Sequence, residues 1–297
     1  MKLINNLSNY SKKIFVKLQD ESIQKKIKRL NLFFCIISFV FIYRYLSELD
    51  FVSYSISLSL QTIFVGVLFY FSNMLLWTLF MNKNYKISLK EFVGNWSLSK
   101  VGKYFPSGIL IVSARLNQKL KTGQNSQKIF YGLLEEHFIF SLIGLLTTLI
   151  LLILPLGDYA YVSFPVLVFL AIKLISSILS KFNLKYVSFL KFKYFVFLNV
   201  NLNLLFVYTV ATNFYSENAT YIALLYYLSL CIGLFFVGVP AGIGIREALF
   251  IFLLGTTKLN GFEIEFLVSM RVSLLLLDIL FFIFGLIYSK FSTKKIN

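Results

Sequence analysis

Apolar runs about as long as a bilayer is thick recur along this chain, near 31–46, 57–81, 129–154, 160–180, 194–214, 219–239 and 264–289. A transmembrane helix needs about 20 such residues. The composition follows the same pattern, with 58% hydrophobic, 18% aromatic and 14% charged residues and a mean hydropathy of +0.77. Ordinary globular domains are roughly 25% charged, so this chain lacks the polar surface to cover itself in water. A cytosolic enzyme, a disordered protein and a secreted disulfide scaffold are all excluded. The fold class expected is an all-α polytopic integral membrane protein with about seven to eight transmembrane helices.

The formal charge of +16 could suggest nucleic acid, but polytopic proteins concentrate Lys and Arg in their cytoplasmic loops. The first 30 residues hold eight Lys/Arg against Asp20 and Glu21. The following run lacks a small-residue cleavage site, so no removable signal peptide is expected. The segment Leu46 to Ser55 carries Glu48 and Asp50 but no base, and Lys83, Lys86 and Lys90 then return the chain inside. Arg115, Lys119, Lys121 and Lys128 are inside by the same rule, which makes 91–114 a re-entrant element. Asp158 and Glu217 mark outer loops; Lys181, Lys185, Lys191 and Lys193 mark an inner one, and the tail with Lys290, Lys294 and Lys295 is inside. The runs 219–239 and 241–257 can be two spans or one hairpin dipping in from outside. The organisation expected is a basic cytoplasmic arm (1–30), one membrane domain (31–289) and a cytoplasmic tail (290–297). Most of the charge is thus topological, and no nucleic-acid partner is expected.

Two segments break the span rule. One reads GKYFPSG, Gly102 to Gly108, within 91–114; the other reads VPAGIGIRE, Val239 to Glu247, at the start of 239–257. Pro removes a donor and Gly loosens a helix, so such breaks survive in a bilayer only against protein or a water-filled cavity. Interrupted segments in corresponding halves point to a transport site, with half-helix N-termini facing an anion. Gly102, Pro106, Gly108, Pro240, Gly242 and Gly244 are therefore expected to line a cavity, in an arrangement that an inverted repeat would produce, although no residue-by-residue repeat is visible.

The run SLSKVGKYFPSGILIVSARL, the EEH at Glu135 to His137 and PAGIGIREALF at Pro240 to Phe250 resemble the lysylphosphatidylglycerol synthase transmembrane region family, the flippase-like part of bacterial multiple peptide resistance proteins. The resemblance covers roughly 30 to 290. Ser107 departs from the Gly that commonly follows the Pro, and Ile245 from a frequent Val. It implies a bundle in the bacterial cytoplasmic membrane, with both termini inside, that moves a lipid with a polar head group between leaflets. The best-described relatives carry an aminoacyl-tRNA-dependent transferase after the membrane part. Here only seven residues follow Lys290, so lysyl-lipid synthesis by this chain is not expected. Other members accompany glycosyltransferases in polysaccharide and glycolipid pathways.

Ionisable groups within spans cost roughly 2.5–3.5 kcal/mol each on insertion scales. Asp278 lies deep in the last run, with Arg271 two turns earlier on nearly the same face. They read either as a cavity-lining pair or as a staple to other helices. Arg246 follows the second break, where its guanidinium can meet a lipid phosphate with bidentate geometry; Glu247 suits a first-turn acid. Lys103 and Arg115 bracket the first break and can bind phosphate or snorkel. Glu135 and Glu136 read as counter-charge or coupling groups, or as interfacial carboxylates. A single His leaves no zinc motif, and no metal or cofactor is expected. Asn199 and Asn203 look like interhelical hydrogen-bond glue, Lys173 and Arg44 like snorkelling residues, and Cys35 and Cys231 give no disulfide or metal framework.

The function expected is a flippase-like lipid transporter, with Lys103, Arg115, Arg246 and Arg271 taking the head group. Glu135, Glu136, Glu247 and Asp278 supply counter-charge. Partners would be membrane lipids with an anionic, aminoacylated or isoprenoid-linked head group, with a homo-oligomer or a glycosyltransferase as protein partner. The alternative is a non-transporting scaffold for a glycosyltransferase in glycolipid synthesis. A membrane transferase using Glu135 and Asp278 is a third reading, although no catalytic motif is present.

Overall fold

A computed structural model describes residues 59–85, 93, 96–97, 99–100, 126–154, 159–181, 192–215, 217–234, 245–255 and 261–293, with only the backbone for 81–85, 126–137, 160–162, 179–181, 261 and 289–293. Among the described residues the chain is all-helical. The helices are α1 (Leu60–Tyr85), α2 (Ser126–Ile153), α3 (Ala160–Lys181), α4 (Lys193–Ala211), α5 (Ala219–Gly233), α6 (Ile245–Leu254) and α7 (Gly261–Thr293). Three contain stretches long and apolar enough to cross a membrane: Leu60–Phe80, Lys193–Ala211 and Phe262–Tyr288. The apolar parts of α2, α3 and α5 are shorter, at Phe138–Ile153, Ser163–Ile178 and Ala219–Gly233.

Helix α4 is the hub, packing against α1, α2, α3, α5 and α7. Its inward face is a broad apolar stripe, with Val196, Val200, Leu204, Phe206, Val207 and Val210 buried on successive turns, while Leu198 and Leu205 face outward. Helix α5 then links α4 to α2 and α6, while α7 lies along α1.

The core is mostly apolar, but the exterior differs from that of a soluble bundle. Large apolar side chains face outward, including Leu276, Ile279, Leu280, Ile283 and Ile287 along α7, while Thr62, Ser72, Thr147, Asn199, Ser229, Ser273 and Asp278 are buried. An apolar exterior this extensive marks a surface in contact with lipid. Buried hydroxyls have no water to bond, so they turn back to the preceding helical turn. Thr78 donates to the Met74 carbonyl at 2.7 Å and Ser273 to that of Ser269 at 2.6 Å.

Polar bonds between helices fix the register of α1. Thr62 Oγ1 donates to the Thr209 carbonyl at 3.2 Å, and Asn199 Nδ2 to Ser72 Oγ at 2.9 Å. Small residues allow close approach elsewhere: a Cβ added to Gly66 would lie 2.6 Å from Leu277 Cδ1 and 3.0 Å from Phe206 Cε2. Helix α6 ends where Gly255 takes a positive φ of 69°, the left-handed conformation that closes helices most readily at glycine.

The apolar run 219–239 contributes α5, which ends at Gly233, and the glycine-interrupted run 241–257 contributes the ten-residue α6. The N-terminal arm, the run 31–46 and both break motifs before Ile245 lie outside the described residues.

Candidate functional site

Three helices bring their polar groups together where α6 begins. Arg246 and Glu247 occupy the first turn of α6, and Arg271 lies in the third turn of α7. Arg271 Nε donates to Glu247 Oε1 at 2.6 Å, and an Arg271 terminal nitrogen also pairs with that oxygen. Arg246 points back toward α5. A Cβ at Gly233 would lie 2.6 Å from Arg246 Cγ, so the arginine stem fits against α5 because Gly233 has no side chain.

The charge at this junction does not balance. Arg246 lies within electrostatic reach of Arg271, Glu247, Tyr226 and Cys231. Glu247 pairs with Arg271 and Arg246 lies near both, so among the described residues the junction holds two guanidinium groups and one carboxylate. Arg246 Nε is buried and has no hydrogen-bond partner among the described residues, and the same holds for the Tyr226 hydroxyl. Tyr226 is fully buried, with its ring 5.6 Å from Phe250 and 5.3 Å from Phe266. An aromatic wall therefore lowers the dielectric around donors that lack acceptors. Burying a charge or donor in this way is costly unless something pairs with it, and an anion with several oxygens would supply the missing acceptors.

The expected partnership of Arg271 with Asp278 takes another form, because each binds a different helix. Asp278 is fully buried and accepts a hydrogen bond from Tyr70 Oη at 2.8 Å. Tyr70 is also enclosed by Trp96 and Phe281, at centroid distances of 6.5 and 5.3 Å. Lys100 Nζ lies 4.1 Å from the Trp96 ring centroid and 5.0 Å from that of Tyr70. Asp278 thus joins α7 to α1, with Trp96 and Lys100 from the first interrupted segment packed against its Tyr70 partner. Composition gave no hint of this cation–aromatic cluster; a Trp and a Lys four residues apart were the available signal.

Asn199 bridges to α1, as interhelical glue should, and Asn203 engages the hydroxyl of Tyr227 on α5, which also meets the Cys231 thiol. Cys231 is a buried free thiol. Lys173 stacks its ammonium on Phe169, 4.7 Å from the ring centroid. Glu263 and Tyr215 were not anticipated: the Glu263 carboxylate is buried with Oε2 unpartnered among the described residues, as is the Tyr215 hydroxyl. Burial first, and then the charge of Glu263, push the Tyr215 hydroxyl well above its ordinary pKa.

Gly102, Lys103, Pro106, Gly108, Arg115, Pro240, Gly242 and Gly244 lie outside the described residues; Glu135 and Glu136 are placed on α2 by their backbone alone. Among the described residues no three metal-ligating side chains come together. No family model matches the chain, and no curated protein or solved structure matches it.

Proposed function

We propose that this chain is a flippase-like protein of the bacterial cytoplasmic membrane that binds the phosphate-containing head group of a lipid at the α5–α6–α7 junction and carries it between leaflets. The observation that supports this reading is that, among the described residues, two guanidinium groups, Arg246 and Arg271, accompany the single carboxylate of Glu247, and the buried Arg246 Nε and Tyr226 hydroxyl lack acceptors. A phosphate offers several anionic oxygens, matches a guanidinium in bidentate fashion and offsets the unbalanced charge. The acyl chains stay in the bilayer, so only the head group needs a polar path.

In this reading the bundle has seven to eight spans, and the broken elements 91–114 and 239–257 are re-entrant. The latter contains α6, and in this reading Pro240, Gly242 and Gly244, which precede α6 in the sequence, line the head-group path. Lys103 and Arg115 provide the corresponding contacts from the first break. Glu135 and Glu136 supply counter-charge from α2.

The test is transport in liposomes containing labelled anionic, aminoacylated or isoprenoid lipids. The wild type should move an anionic lipid well above the rate of empty vesicles, and Arg246→Gln should lower that rate at least tenfold while the protein remains folded. If no such lipid moves faster than in empty vesicles, the transport reading fails. Co-purification of a glycosyltransferase would then favour the scaffold.

A further inference from the structure

A second feature lies on α3 and α4, and none of its lining residues belongs to the α5–α6–α7 junction. Between the C-terminal half of α3 and the first turn of α4 runs a groove of about 510 Å³. Its α3 wall is built from Phe169, Ile172, Lys173 and Ser176, spaced three and four residues apart and so presented on one stripe. Lys193, Tyr194 and Phe197 form the facing wall on α4. The groove is therefore graded along its length, with an apolar floor of Phe169, Ile172 and Phe197 and a polar rim of Lys173, Ser176 and Lys193.

Among the described residues the charged groups that line it are two lysines, with no Asp or Glu. Their ammonium groups rest on rings, Lys173 on Phe169 and Lys193 on Tyr194, at 4.7 and 5.3 Å from the centroids. A cation on an aromatic face remains open to an anion from the other side. The exposed Tyr194 is a residue type enriched at membrane interfaces. The connection between α3 and α4 carries Lys185 and Lys191 as well, so the rim faces the cytoplasmic leaflet by the positive-inside rule.

We propose that this groove is a binding site for an anionic glycerophospholipid of the cytoplasmic leaflet, with an acyl chain on the apolar floor and the phosphate between Lys173 and Lys193. It is separate from the head-group junction and does not rest on the transport reading. Each lysine near an anionic head group contributes about a fivefold preference, so the pair should favour phosphatidylglycerol over phosphatidylethanolamine by roughly twenty-five-fold.

The test is native mass spectrometry of the full chain released from vesicles of equimolar phosphatidylglycerol and phosphatidylethanolamine. The wild type should retain phosphatidylglycerol preferentially. In an Arg246→Gln background, which removes the junction's own hold on anionic lipid, Lys173→Gln/Lys193→Gln should lose most of that preference and Lys173→Arg/Lys193→Arg should keep it. Equal retention of both lipids by the wild type overturns the proposal whatever the variants do. So does a glutamine pair that keeps the preference, or one that changes only the oligomeric state, which would assign the groove to a second copy of the chain.

Discussion

Arg271 and Glu247 meet across the α6–α7 contact, with the arginine Nε donating to Oε1 at 2.6 Å, and Arg246 lies within electrostatic reach of both. Its loss should be asymmetric. Glu247→Gln leaves Arg246 and Arg271 facing each other, whereas Arg271→Gln leaves one cation beside one anion. Breaking a fully buried pair costs about 3–5 kcal/mol. Both side chains here keep some exposure, 27% for Arg271 and 15% for Glu247, so about 2 kcal/mol is expected for Glu247→Gln and less for Arg271→Gln. Thermal denaturation in detergent should show the larger drop for Glu247→Gln, and adding Arg246→Gln should restore part of it. Equal drops would mean that the excess charge is neutralised by another group.

The Tyr70–Asp278 hydrogen bond predicts a different pattern. Removing the donor with Tyr70→Phe leaves a fully buried carboxylate with one fewer partner, at a cost of about 1.5–3 kcal/mol for a bond to a charged acceptor. Asp278→Asn keeps an acceptor oxygen for Tyr70 and should be the milder change in stability. A transport assay on Asp278→Asn then separates two roles. A stable variant with unchanged transport leaves Asp278 as a staple, and a stable variant without transport makes it part of the path.

How far the sequence carries can be judged from these charges. Asp278 and Arg271 stood out because ionisable groups are rare in spans, and both are engaged with other helices. Their pairing could not be read from a shared face: seven residues span about 10 Å along a helix, too far for direct contact, and the true partners lie hundreds of residues or a whole helix away in sequence. Asn199 was legible because an amide buried in a span has few options besides a neighbouring helix. At the α6 junction the sequence offered Arg246 as a candidate partner for an anion beside a break; that Arg271 pairs with Glu247 depends on how α6 docks on α7. Glu263 and Tyr215 carried no signal, since an acid at a helix start and a tyrosine in a loop usually face water.

Tyr215 yields a prediction for alkaline solution. Its hydroxyl titrates above the ordinary value of 10 in the folded chain because burial and the charge of Glu263 disfavour the phenolate. Above pH 10 the unfolded chain releases this proton while the folded chain retains it, so the stability that the group contributes is full below pH 10 and falls as pH rises beyond it. Tyr215→Phe removes that contribution. The fall in unfolding temperature between about pH 10 and pH 11.5 should therefore be shallower in the variant than in the wild type. Identical slopes would show that Tyr215 does not retain its proton.

Gly233 offers the sharpest separation of binding from folding. A methyl group there would lie 2.6 Å from Arg246 Cγ and 3.5 Å from Cδ, a clash with a flexible side chain rather than with backbone. Arg246 can yield by changing rotamer, so Gly233→Ala should cost at most the lower end of the roughly 1–3 kcal/mol of ordinary overpacking, and part of that is regained because alanine is the better helix former by about 1 kcal/mol. Yielding moves the guanidinium away from Tyr226 and from the unfilled acceptor position. The variant should therefore fold with nearly wild-type thermal stability yet bind anionic lipid several-fold more weakly. Gly66→Ala provides the contrast, because its methyl would meet Leu277 and Phe206 in the packed interface and should lower stability without specifically weakening head-group binding. Normal lipid affinity in a stable Gly233→Ala protein would show that the position of Arg246 does not set the strength of binding.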